Sequence, residues 1–306
     1  MKQAAQIRRL ELNITPELAG VRVDTLLRKR LLLSGTVIRR IKWLEDGILV
    51  DGVRVNTRFI PKSGQVLSVR LSDTERLSGV VPTPGPLDII YEDEDVIVLN
   101  KAAGVSVHPG PGHFGDTLGN FLIHYYEKTG QPADFHPVHR LDRGTSGLLV
   151  VAKHPHAQER LKEQLHSPDF CRVYLAVCEG VPRPKAGMVD APLGPVDGSL
   201  MEQQVRPDGK PARTRYETIR TTGVRTLLQV ELETGRTHQI RVHMSYVGHP
   251  LTGDFLYGTE DTNLITRTAL HSHRLSFRHP VTGRKLHFVQ PLPVDMECLV
   301  PQGTHD

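Results

Sequence analysis

The segment His139-Arg140-Leu141-Asp142-Arg143-Gly144-Thr145-Ser146-Gly147 places one carboxylate between two arginines and a glycine-framed turn. An apolar run, residues 148–152, follows without a break. A run that short reads as a buried strand. The turn therefore delivers Asp142 to the end of a core strand, where a reactive group is held rigidly beside a cleft. Arg140 and Arg143 should lower the pKa of the carboxyl between them and keep it ionised. A fixed, ionised aspartate attacks as a nucleophile or takes a proton as a general base. The competing structural explanation is turn chemistry, since Asp, Gly, Thr and Ser are ordinary turn residues. Two other chemistries are excluded. The second glycine comes one residue too early for a Gly-x-Ser-x-Gly nucleophile elbow, and a phosphate-binding loop would need Gly-Lys-Ser/Thr after its first glycine.

Three further segments carry candidate side chains. In Arg172-Val173-Tyr174-Leu175-Ala176-Val177, Tyr174 sits on an alternating strand; such a tyrosine is usually a core residue with a wet hydroxyl. In Thr234-Gly235-Arg236-Thr237-His238-Gln239-Ile240-Arg241-Val242-His243, Thr237 is placed to cap a helix after the Gly235 turn. Ile240, Met244 and Val247 form its apolar stripe and Gly248 ends it. Arg241 falls at the edge of that stripe, one turn after His238, so it can point from a packed helix into a cleft rather than snorkel along the surface. In Asn100-Lys101-Ala102-Ala103-Gly104-Val105-Ser106-Val107-His108-Pro109, Lys101 is a candidate phosphate contact.

The elements that must hold these groups form two blocks joined by residues 73–86, a stretch rich in Pro, Gly, Ser and Thr that reads as a linker. In the first block, residues 12–72, Val23, Leu26 and Leu27 give one helix. Val37, Ile38, Ile41 and Leu44 give a second, closed by Gly47. Asp51-Gly52 between short β-branched runs signals a hairpin, and residues 65–71 a last strand. Residues 21–72 hold eleven Lys and Arg against four Asp and Glu, a local excess that suits a polyanion. The second block, residues 87–299, opens with a hairpin around the acidic turn 92–95. A helix follows over residues 117–127 with Asp116 as its N-cap, then the strand after Asp142, a helix carrying Leu161 and Leu165, and strands at 174–178 and 226–232. Hairpins without repeated βαβ units give an α+β class.

Composition sets the remaining bounds. The chain has 306 residues, 38 Lys and Arg and 34 Asp and Glu. Three cysteines without Cys-x-x-Cys spacing argue against a disulfide framework and for a reducing compartment. Residues 1–10 show no signal-peptide core, and no apolar run approaches the roughly 20 residues of a membrane helix. Among the sixteen histidines, His238 and His243 share a helix face poorly. His271 and His273 share a strand face but have no further ligand spaced with them, so no metal is expected.

The longer string His-Arg-Leu-Asp-x-x-Thr-Ser-Gly closely resembles the signature of the RluA-type pseudouridine synthases. The Lys101 segment resembles the family's preceding motif, with Ala102 where Pro is usual. The Tyr174 segment resembles its Lys-x-Tyr-x-Ala strand with Arg172 for Lys, and the Arg241 segment matches as well. Residues 12–72 resemble a small S4-like RNA-binding domain, although Leu33-Ser34-Gly35-Thr36 departs from its usual Ser-Arg. This resemblance implies a catalytic fold of mixed and antiparallel sheets over residues 87–299. It makes Asp142 the essential catalytic residue, Tyr174 the active-site tyrosine and Arg241 the partner of Asp142. It implies that Arg140 holds phosphate or fills the gap left by an extruded base. Arg28, Lys29, Arg30, Arg39, Arg40 and Lys42 would line the RNA face. The implied activity isomerises uridine to pseudouridine in structured RNA, with 23S-type large-subunit ribosomal RNA the expected partner, no cofactor and no metal, in a cytoplasmic monomer away from any membrane. The alternative is a non-catalytic RNA-binding ribosome-assembly factor; the joint presence of Asp142, Tyr174 and Arg241 discriminates, because binding alone does not need them. An Asp-nucleophile phosphatase would need an Asp-x-Asp start that is absent.

Overall fold

A computed structural model describes residues 7–73, 75–199 and 201–301. Near the N-terminus, an antiparallel four-stranded sheet runs in the order Arg9–Asn13, Val66–Arg70, Ile48–Val50, Val53–Arg54. Helices Val23–Lys29 and Gly35–Ile41 bury Val23, Leu26, Leu27, Val37, Ile38 and Ile41 against it. The predicted hairpin forms at Asp51-Gly52, where both φ angles are positive as a type I′ turn requires. Two expectations change. Strand Arg9–Asn13 begins before residue 12 and was not foreseen; its alternating run is short, and its pairing with Val66–Arg70, far off in sequence, makes it a strand. The second helix stops at Ile41, short of Leu44, so Gly47 is no C-cap; it lies where a Cβ would collide with the Ile41 carbonyl.

The described residues of 72–86 form no regular element, but they do not hang free. Asp73 is buried and meets Arg40 Nη2 at 2.8 Å and His136 Nε2 at 2.7 Å. The amides of Leu77 and Ser78 both donate to Asp134 Oδ2 at 2.8 Å, and Asn120 Nδ2 donates to Val81 O. Arg8 adds a second tie, with Nε 2.8 Å from Asp95 Oδ1. The segment is a strap along the second block rather than a flexible spacer.

The second block is built on a ten-stranded sheet with mixed pairing. Strand Ser146–Ala152, third from one edge of its main path, is buried at every residue. It pairs antiparallel with Val96–Lys101 on one side and parallel with Leu270–Arg278 on the other. Gly147 is required at the parallel contact: its φ is +106° and a Cβ would lie 2.3 Å from Ser272 O. Strand Leu270–Arg278 also pairs with Cys171–Glu179, which carries Tyr174, and the next strand is Arg225–Leu232. The parallel pair is why the α+β reading includes a mixed sheet. Helix Leu118–Lys128 is capped by Thr117, whose side chain accepts from Asn120 N. Asp116, the expected cap, instead meets His113 Nδ1 at 2.6 Å. No helix among the described residues is long and apolar enough to cross a membrane.

The strap makes a testable claim. Asp134→Ala removes the buried acceptor of the Leu77 and Ser78 amides and of the Ser78 hydroxyl. Hydrogen bonds to a charged group contribute roughly 1.5–3 kcal/mol each. Trypsin cleavage after Arg76 is therefore expected to accelerate at least tenfold (~1.4 kcal/mol). Unchanged cleavage kinetics would show that Asp134 does not hold the strap down.

Candidate active site

The signature segment alternates. His139 and Leu141 are buried, Arg140 is exposed and Asp142 is half-exposed. His139 packs edge-on against Phe170, and burial pushes its imidazole down to about 3. The inward pair anchors the segment, so the outward pair faces a cavity. Of the arginines near Asp142, the flanking Arg143 turns to the backbone and the pairing falls to Arg241, as the resemblance implies. Arg143 Nε donates to Gly104 O at 2.9 Å. Instead Arg241 reaches Asp142 Oδ2 with Nη1 at 3.6 Å.

Arg241 itself is gripped elsewhere. Its Nε and Nη2 each lie 2.7 Å from an oxygen of Asp254, a carboxylate with no solvent exposure. The fork therefore closes on Asp254 and leaves Nη1 for Asp142. Burial opposes the Arg241 charge, but Asp254 and then Asp142 outweigh it and raise its pKa. Asp254 was not foreseen: Thr252-Gly253-Asp254 looks like any polar turn. Tyr257 packs its ring against the guanidinium at 5.0 Å and Phe255 at 5.6 Å.

Helix Gln239–Tyr246 carries Arg241. Thr237 does not cap it; the preceding residue is His238 in the left-handed region at φ 56°, and its side chain makes no capping bond. His238 Nδ1 lies 2.8 Å from Tyr257 Oη. A non-glycine residue in this conformation is strained, and such strain concentrates at functional sites. Ile240 and Met244 are buried as predicted, whereas Val247 lies past the helix and is partly exposed. The helix is pinned by buried polar side chains instead. Gln239 Nε2 donates to Arg213 O and Thr214 Oγ1, and His243 bridges Thr214 and Ala191 O.

Two buried cations hold the loop around Asp142 by its backbone. Lys101 Nζ donates to Ala102 O, Val105 O and Arg143 O at 2.8, 2.8 and 3.2 Å. At 1% exposure its ammonium is committed to these carbonyls, so the expected phosphate contact is corrected to a structural role. Burial pushes it down to about 7, against the pull of Asp142. Arg267 Nη1 donates to Gly144 O at 3.4 Å and to Leu270 O at 3.1 Å, while Asp295 grips its Nε and Nη2 at 2.7 and 2.9 Å. Sequence reasoning missed Arg267 and Asp295, which no motif marks.

Asp142, Tyr174, Arg140, Arg241 and His238 line one open cavity of about 560 Å³. Tyr174 is 4% exposed and burial raises its pKa, so the phenol stays protonated at neutral pH. Arg172, two residues before it on the same strand face, lines the cavity too. The three predicted catalytic side chains thus converge. A second cavity, of about 900 Å³, shares Asp142, Arg140 and Arg241 with the first. No metal set occurs around Asp142 among the described residues. The one cluster of suitable ligands is Asp93, Asp95 and His279, and there Arg8 and His154 already hold Asp95.

The basic residues of the first block divide. Arg28, Lys29, Arg30 and Arg39 are exposed, Arg28 pairing with Asp24 at 3.0 Å. Lys42 is half-buried over the Trp43 ring. Arg40 is corrected: it turns inward to Asp73 and is a docking residue, because the buried carboxylate needs a partner.

The two carboxylates on Arg241 should differ in what they do. Asp254→Ala leaves a buried guanidinium without its main partner and is expected to cost about 3–5 kcal/mol of stability. Asp142→Asn, at a solvent-reached position, is expected to cost less than about 1 kcal/mol. Urea unfolding of both variants checks this. Equal losses would show that Asp142, too, is a structural partner of Arg241.

Comparison with known proteins agrees with this geometry. Residues 95–246 match the family model described as RNA pseudouridylate synthase. An uncharacterized RNA pseudouridine synthase of Bacillus subtilis is 41% identical over 273 residues, 89% of this chain and 96% of that protein. The ribosomal large subunit pseudouridine synthase D of Nitrosomonas europaea is 38% identical over 300 residues, 95% of this chain and 87% of that protein. The solved structure of human RNA pseudouridylate synthase domain containing 4 superposes with a TM-score of 0.55 at 25% identity, covering 68% of this chain and 90% of that one. Similarity over nearly the whole length, with Asp142, Tyr174 and Arg241 inside the matched region, shows that the chain belongs to the RNA pseudouridylate synthase family and is an isomerase acting on RNA uridine.

Proposed function

We propose that this enzyme isomerises specific uridines in large-subunit ribosomal RNA and that Asp142 is its catalytic carboxylate. The observation that carries the reading is the meeting of Asp142 with Arg241 at the wall of the cavity that Tyr174 also lines. The reaction breaks the N1–C1′ bond of uridine, turns the uracil and forms a C5–C1′ bond. The C5 proton leaves and N1 ends protonated, so atoms and electrons balance within one nucleotide. No exchangeable cofactor is required by that balance. A stacked uridine is unreachable, so the nucleotide must be flipped into the cavity at a cost of a few kcal/mol.

Asp142 acts at the sugar, as nucleophile or as counter-charge to the ribose when N1 departs. Both roles need an ionised carboxylate at a fixed place. Arg241 supplies the opposite charge, and Asp254 fixes the plane of its guanidinium. Tyr174 lies against the flipped uracil, and its protonated hydroxyl relays the C5 proton. Arg140, exposed at the rim, holds a phosphate beside the target. The relatives named for the large ribosomal subunit support the choice of RNA. A pure assembly factor would have no use for a buried arginine shared by two carboxylates at a cavity.

We further propose that residues 12–72 act as an S4-like RNA-binding domain. Lys29, Arg30 and Arg39 present the exposed charge, and the ties through Asp73 and Asp95 keep that charge in one place relative to the cavity.

Asp142→Asn is expected to abolish tritium release from C5-labelled ribosomal RNA while RNA affinity changes less than tenfold. The group contributes chemistry rather than attraction to phosphate. Near-normal turnover would remove Asp142 from the mechanism. Replacing Lys29, Arg30 and Arg39 together by Gln should reduce the steepness of log K against log salt by about 2, since each phosphate contact contributes roughly 0.7–0.9. An unchanged slope in a salt titration would show that this helix pair does not touch the RNA.

A further inference from the structure

Beyond the uridine pocket, the second cavity has a composition that nothing in the reaction itself explains. It is basic where it meets solvent, with Arg140 and Arg143 exposed on its wall. Yet two large apolar side chains stand open in it: Phe255 at 57% exposure and Met201 at 56%. Single exposed apolar residues are ordinary on a surface. These two share one chamber of about 900 Å³ that opens on Asp142.

Phe255 is also mechanically tied to the catalytic pair. It follows Asp254 directly, and the Asp254 carboxylate accepts the amides of Leu256 and Tyr257, which sets the loop. The Arg241 guanidinium lies 5.6 Å from the Phe255 ring centroid. The rest of the ring is open to the chamber. Glu260, the one carboxylate of this cavity apart from Asp142, suits the amino group of a base rather than a phosphate.

We propose that this second cavity binds the nucleotide adjoining the target uridine, with its base stacked on Phe255 and its phosphate between Arg140 and Arg143. The inference rests on the reading of the first cavity as the uridine site. A flipped nucleotide remains covalently joined to its neighbours, so one neighbour can enter the second cavity past Asp142, which lines both. There it finds a flat aromatic surface, two guanidinium groups and an acceptor. Aromatic stacking tolerates any base, while Glu260 favours adenine, cytosine or guanine over uracil. Phe255 therefore determines how firmly the neighbouring nucleotide is held, and Glu260 which base is preferred there.

Two measurements test this with the full chain. Base–aromatic stacking contributes about 1–3 kcal/mol per base, or roughly five- to 150-fold. With C5-tritiated large-subunit ribosomal RNA at limiting concentration, Phe255→Ala and Phe255→Leu should each lower tritium release at least fivefold, and Phe255→Tyr should stay within twofold of the parent. Release by Phe255→Leu equal to the parent overturns the proposal, since apolar bulk alone would then suffice. Thermal unfolding of all three variants separates this from misfolding, and the Leu-against-Tyr contrast decides even where the Ala variant is unstable. The second measurement does not need turnover. In a Trp43→Phe, Phe255→Trp, Asp142→Asn protein the one tryptophan sits in the chamber. Saturating ribosomal RNA should quench its emission at least twofold; unchanged emission overturns the proposal. If the parent enzyme releases no tritium but the quench occurs, it is the choice of reaction site that fails, not the second cavity.

Discussion

Everything in this site depends on one buried guanidinium shared by two carboxylates. Arg241 sits at 4% exposure, where a lone charge would cost several kcal/mol. Asp254 offsets that cost with a two-point grip at 2.7 Å on each arm. The grip also fixes the plane of the guanidinium, because both bonds must be met at once. What remains, Nη1, is one directed positive site 3.6 Å from Asp142. The division of labour follows from exposure: the carboxylate without solvent holds the arginine, and the one that solvent reaches remains available to substrate.

The carboxylate itself is held indirectly. If Asp142 reacts as proposed, it cannot be fixed through its own oxygens without tying up the atoms that react. Here the restraint falls on the neighbouring backbone. Lys101 takes the Arg143 carbonyl and Arg267 takes the Gly144 carbonyl, each from a cation with little or no solvent contact. Arg267 is in turn locked by Asp295 near the C-terminal end of the described chain. Residues from three separate stretches of sequence thus hold a turn of a few residues, and the parallel strand Leu270–Arg278 brings one of them to it. That strand follows directly from the Arg267 turn and passes so close to Gly147 that no side chain fits.

The strap of residues 72–86 shows the same use of buried charge at larger scale. Asp73 and Asp95 each accept from both blocks, Arg40 and Arg8 coming from the first and His136 and His154 from the second. Hydrogen bonds from His154 and Arg8 outweigh the burial of Asp95 and hold its carboxyl down at about 2. An exposed basic surface tethered in this way keeps a constant position relative to the Asp142 cavity, which a flexible linker would not provide.

How much of this was legible beforehand depends on the range of the interactions. Local pattern determined the elements: the buried run after Gly147, the alternation around Tyr174, the hairpin at Asp51-Gly52 and the helix carrying Arg241 are set by neighbours within a few residues. The turn that presents Asp142 is local in the same way, whereas Tyr174 and Arg241 stood out only because their segments resemble a family's motifs; that the three line one cavity came from the assembled chain. Tertiary structure alone decided the partners. Asp254 meets Arg241 across 13 residues, and Arg267 meets Gly144 across 123; no periodicity links such positions. It also decided the fate of individual charges. Lys101, Arg40 and Arg143 look alike as cations in a sequence, yet burial commits the first to carbonyls and the second to Asp73, and leaves the third at the mouth of a cavity. Solvent exposure is a property of the assembled chain, and exposure is what separates a charge that holds the fold from one that is free to meet RNA.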